Sequence, residues 1–91
     1  MKELKQFVYP AVFRQGEFDV VVYFPDLELT TEGENYEEAF LFAKDLLRVY
    51  LSTALNNDLE FSLPSKFSSI NSKNVRNDDV MLIDAFVFEK K

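Results

Sequence analysis

The chain has 91 residues, a net charge of −6, 47% hydrophobic and 29% charged residues, and neither cysteine nor histidine. That length holds one domain with one core, so residues 1–91 are expected to form a single unit. The missing residues exclude disulfides and thiolate chemistry and remove the commonest general base and metal ligand, while the acidic balance argues against nucleic acid, which needs a basic stripe.

Met1 to Gln6 lacks the apolar centre of a signal peptide, and no apolar run reaches the length of a membrane span. A cytoplasmic protein is the expectation, and the absence of cysteine fits a reducing compartment. Phe7 to Phe13 predicts a strand of aromatic and β-branched residues. Pro10 inside it has no backbone donor, which points to an edge strand or a bulge. Gln15-Gly16-Glu17 is a short turn. Phe18 to Phe24 is the clearest strand: Phe18, Val20, Val22 and Phe24 share one face. The brief connection makes the two strands an antiparallel hairpin. Pro25-Asp26 stops the second strand, and Glu28 to Thr31 predicts a short third one.

Gly33 then precedes a strong helix signal, with a positive φ expected at that glycine. Asn35 is an N-cap, Glu38 three residues on completes a capping box, and Glu37 and Glu38 complement the helix dipole. From Tyr36 to about Leu55 the apolar positions keep helical spacing at Ala39, Ala43, Leu46, Leu47, Tyr50, Leu51 and Ala54. Phe40, Phe42 and Val49 widen this stripe beyond the ~100° that a helix on a sheet requires. The surplus predicts a second contact, made either by a homodimer partner or by the C-terminal loop. Asn56-Asn57 ends the helix. A polar stretch from Leu63 to Asp79 reads as a surface loop anchored by Phe67 and Ile70. Val80 to Phe88 is the last strand, apolar on both faces except at Asp84, as expected inside a sheet or at an interface. The order β-β-β-α-β predicts an α+β fold, an antiparallel sheet with one long helix packed on one face.

Catalytic patterns are poor. Asp19, Asp26, Glu38 and Asp84 have no spacing that marks a metal site, no serine elbow exists, and Gly16 and Gly33 are the only glycines, which excludes phosphate loops and dinucleotide fingerprints. A binding protein without cofactor or metal is expected. The strongest feature is charge. Gln15 to Ala43 holds eight of the sixteen carboxylates and no lysine or arginine. Turn and capping duties account for Asp26, Glu37 and Glu38, but not for Glu28, Glu32 and Glu34. Asp26, Glu28, Glu32 and Glu34 therefore form the candidate surface for a basic partner, against the alternative of an idle solvated face.

Tyr9-Pro10-Ala11-Val12-Phe13, Val21-Val22-Tyr23-Phe24-Pro25-Asp26-Leu27, Thr31-Glu32-Gly33, Glu37-Glu38-Ala39 and Leu63-Pro64-Ser65 together resemble the HicB-type antitoxin domain over about residues 7–88. Each motif is weak alone, and their order and spacing carry the resemblance. It implies a partial ribonuclease-H-like fold without catalytic acids, neutralisation of a small basic HicA-type mRNA-cleaving toxin, and homo-oligomers. Relatives commonly carry a DNA-binding segment after this domain. This chain ends at Lys91, so no direct DNA binding is expected from these residues. After Leu27 many relatives have Pro-Gly-Cys, where this chain has Glu28-Leu29-Thr30 and is one residue shorter. Two alternatives stand beside the antitoxin: a stand-alone dimerisation or regulatory domain lacking its DNA-binding tail, and a degenerate ribonuclease-H-like protein with a residual nucleic-acid role.

Overall fold

A computed structural model describes residues 2–64 and 78–90. Strands β1 (Lys2–Gln15), β2 (Val20–Phe24) and β3 (Leu29–Gly33) precede helix α1 (Tyr36–Asn56), and β4 (Asp78–Lys90) follows it. They form one antiparallel sheet in the order β3-β2-β1-β4. This is the expected α+β arrangement. The long surface loop expected around Phe67 and Ile70 lies outside the described residues.

The period-two alternation of β1 gives the sheet its two faces. Tyr9, Ala11 and Phe13 are fully buried, as are Val22 and Phe24 of β2 and Ile83 of β4. α1 lies over this face and buries Ala39, Ala43, Leu47, Leu51 and Ala54, a ridge spaced mostly at four residues. Alanine at 39 lets the helix start lie close on Gly33, and leucine at 47 and 51 supplies the larger buried side chains of the ridge. Gly33 is shaped by this approach. No glycine has a positive φ. A Cβ on Gly33 would instead lie 2.5 Å from the Ala39 nitrogen, so the position needs glycine because the helix start sits on top of it.

The helix begins as its sequence dictates. Asn35 is extended (φ −149°), and its side chain accepts a bond from the Glu38 N–H at 2.8 Å. The Glu38 carboxylate reaches back one residue further than a standard capping box and accepts from the Glu34 N–H at 2.8 Å. At the other end Asp58 takes a left-handed conformation (φ 55°), and the Leu59 N–H bonds the Ala54 carbonyl at 2.8 Å, which is a Schellman closure. Tyr36 ties the helix start to the sheet by stacking on Phe13 and donating to Asp79 at 3.3 Å.

Three strand expectations change. Phe18 is 87% exposed at the hairpin tip, because β2 starts only at Val20. β1 is central in the sheet, not an edge. Its ladder with β2 begins at Val12, however, so Pro10 has a strand beside it on the β4 side alone, opposite Leu82. β4 is not interior but the sheet edge, and its second apolar face lies open.

Candidate partner-binding surface

The hairpin register and the helix start sort seven of the eight carboxylates of the acid-rich stretch into two places, and the eighth, Glu38, is taken up in the helix cap. Val20 pairs with Gly33 and Phe24 pairs with Leu29. Asp26 and Glu28 therefore sit in the four-residue connection at one end of the β2–β3 ladder. Glu32 and Glu34 lie at its other end, about 13 Å or more along the strand direction at ~3.3 Å per residue. The four predicted site residues do not form one cluster.

At the Gly33 end the fold adds acids that sequence order separates. Glu17 and Asp19 belong to the turn that joins Gln15 to Val20, and Val20 is the register partner of Gly33. Glu37 stands in the first helical turn, directly after the N-cap. Glu17, Asp19, Glu32, Glu34 and Glu37 thus share one end of the molecule with the positive end of the helix dipole. Glu17 and Asp19 escaped the sequence reading because only the strand pairing brings residue 19 beside residue 33. Hairpin register was the one signal that could have found them. Glu17, Glu32, Glu34 and Glu37 are exposed. Among the described residues, no three potential ligands stand close enough to hold a metal ion. The acids are spread as a charged surface.

The turn at the far end has a different character. Both the Leu27 and Glu28 N–H groups bond the Phe24 carbonyl, at 3.3 and 2.8 Å, and Glu28 has φ 56°. Glu28 thus has a turn duty that its sequence position hid. Asp26 lies close enough to Tyr9 to act on it electrostatically. Burial of the phenol, then the Asp26 charge, then Tyr50 push the Tyr9 pKa up to about 12. The Tyr9 hydroxyl donates to the Ser62 carbonyl at 2.7 Å, and Phe7 meets Phe61 edge-on nearby, which fixes the chain leaving the helix against β1.

On α1, Phe40 packs against the core, whereas Phe42 and Val49 are about half exposed beside Leu46 and Thr31. Lys44 reaches past the edge of β4. Its ammonium donates to the Asp84 carboxylate at 2.7 Å and to the Asp84 backbone carbonyl at 3.1 Å. The bond from Lys44 holds the Asp84 carboxyl below the usual carboxylate range. No described helix is long and apolar enough to cross a membrane.

A four-stranded antiparallel sheet with one covering helix and a carboxylate-rich end defines the class of surface. No family model matches the chain, and no curated protein matches it. Among solved structures, the chain resembles one from a "Toxin-Antitoxin complex from Streptococcus pneumoniae", with a TM-score of 0.69, 22% identity, and coverage of 91% of this chain and 69% of that one. At that identity the likeness establishes the shared fold.

Proposed function

We propose that this chain is a HicB-like antitoxin domain that binds and neutralises a small basic HicA-type toxin, acting by occlusion and not by catalysis in the cytoplasm. The observation that carries the reading is the gathering of Glu17, Asp19, Glu32, Glu34 and Glu37 at one end of the fold. The fold shared with a chain of a toxin–antitoxin complex and the ordered motifs from Tyr9 to Ala39 support it. Such an end attracts a cationic ribonuclease by long-range steering and competes with RNA phosphates for its basic site. Asp26 and Glu28, at the opposite end of the hairpin, would form a second and weaker contact.

The test is titration calorimetry with a HicA-type toxin, alongside an RNA-cleavage assay. Glu32→Lys combined with Glu34→Lys should weaken binding at least tenfold and restore cleavage, mainly through a slower on-rate. Asp26→Asn should have a smaller effect. If the native chain leaves the toxin unbound and fully active, the reading fails.

A further inference from the structure

Two acid groups stand at opposite ends of the β2–β3 ladder, and β2 runs between them. Its residues Val20, Val22 and Phe24 are buried under α1, so by alternation Val21 and Tyr23 lie on the helix-free face of the sheet. The register sets Tyr23 beside Val12 and Val21 beside Arg14 on β1. On the other side it sets Tyr23 beside Thr30 and Val21 beside Glu32 of β3. Val12, Arg14, Val21 and Tyr23 line an open hollow of about 150 Å³. A space of about 150 Å³ between apolar side chains admits a benzene-sized ring. Tyr23 is 40% exposed, the two valines are half-buried, and Arg14 and Glu32 are exposed.

The lining selects its occupant. Valine and tyrosine offer apolar contact, and the Arg14 charge repels a cation from the hollow itself. A planar guanidinium instead stacks on an aromatic ring. Glu32 lies one strand away from Val21, at a spacing of about 5 Å. The position therefore asks for an apolar side chain in the hollow and a lysine or arginine directly beside it. Further along the same face, towards Leu82 and Phe86, the carboxylate is Asp84. Lys44 already bonds it at 2.7 Å, so a basic partner gains little there.

We infer that this hollow anchors the partner: it takes one apolar side chain, aromatic by preference, that stands within the basic surface of the toxin, while a neighbouring cation meets Glu32. The inference rests on the antitoxin reading above and adds to it the place where the partner is held. A standard interface covers about 800 Å² per partner, a disc about 30 Å across. Centred on Tyr23, such a disc reaches Glu32 at one end of the hairpin and Glu28 at the other, so both acid groups serve one footprint. A desolvated anchor of this kind sets koff, whereas carboxylates at the rim set kon.

Stopped-flow association and dissociation of the intact chain with a HicA-type toxin, at about 50 and about 300 mM salt, tests it. Tyr23→Ser should raise koff at least tenfold at both salt concentrations and leave kon within about twofold. Val21→Thr has nearly the same shape and should raise koff at least about threefold, by setting a hydroxyl against the apolar anchor. That variant separates the contact from any loss of folding. Glu32→Gln should instead lower kon, and at the lower salt alone. Phe88→Ser, at the far end of the same face, should leave both rates unchanged. If the native chain binds and koff is unchanged in Tyr23→Ser and Val21→Thr, the inference is overturned while the antitoxin reading stands. An effect of Phe88→Ser as large as that of Tyr23→Ser overturns it too, by moving the anchor along the sheet. A native chain that leaves the toxin unbound removes the antitoxin reading itself, and the inference falls with it.

Discussion

Glu28 holds a left-handed backbone (φ 56°) with a full side chain, in the turn where the HicB-type pattern places a glycine nearby. That conformation costs a non-glycine residue about 1 kcal/mol or more. Glu28→Gly should therefore stabilise the fold by about 0.5–1 kcal/mol, the gain being reduced by the larger unfolded-state entropy of glycine. Urea denaturation measures it, and a lower midpoint would refute the strain argument. Tyr9 provides a pH test. Its pKa rises from 10.0 to about 12 in the fold, so the protein favours the neutral phenol. The associated stability is fully present below about 10 and declines by up to about 1.4 kcal/mol per pH unit between there and about 12. Tyr9→Phe should lose some stability at neutral pH, through the lost bond to Ser62, and should show a shallower alkaline decline than the native chain. Equal slopes would contradict the assignment. Neither effect was legible in the sequence. Glu28 looked like surplus charge and Tyr9 like one more strand aromatic, because the backbone angle and the buried hydroxyl depend on what the turn and the Ser62 carbonyl do around them.

At the scale of elements, the helix was legible nearly to the residue. Asn35, Glu38 and the four-residue spacing are local signals, and local backbone bonds satisfy them. Strand limits were less legible. β1 extends from Lys2 to Gln15, well beyond the aromatic run, because pairing with β4 orders polar residues that alternation alone does not mark. β4 read as a strand inside the sheet or at an interface, since apolar residues on both faces look the same in sequence whether the second face meets a layer of the same chain or lies open at a sheet edge. Gly33 shows the limit of residue identity. A glycine was required, but the reason is the helix resting on it and not its φ. Gly33→Ala should thus cost about 2 kcal/mol through overpacking against the Ala39 backbone. The expected readout is a lowered melting temperature, with the helix content of the folded state retained. A neutral outcome would show that the helix start can lift off β3.

For the whole molecule, charge and fold combine in a way that sequence position conceals. The acid-rich stretch is continuous along the chain yet divides between two ends of the hairpin, and only register shows which carboxylates become neighbours. Concentrating five of them at one end of a −6 molecule works against compactness at low salt. Raising ionic strength from about 10 mM to about 150 mM cuts the Debye length from about 30 Å to about 8 Å. The melting temperature of the free chain should rise over that interval, while affinity for a basic toxin should fall. Parallel thermal melts and binding titrations check the opposed signs, and a common sign would separate the acidic end from toxin recognition.

The ladder between β1 and β4 has a consequence for how the protein comes into being. It joins Lys2 to Lys90 and Arg14 to Asp78, so β1 waits for β4, which is made after the helix. At a ribosomal pace of ~5–20 residues per second, the hairpin and helix emerge seconds before their closing strand. During that interval one side of β1 lacks its neighbour, and the core residues Ile83, Ala85 and Val87 are missing from under the helix. A chain cut between α1 and β4 should therefore be digested faster than the intact one, which limited proteolysis measures.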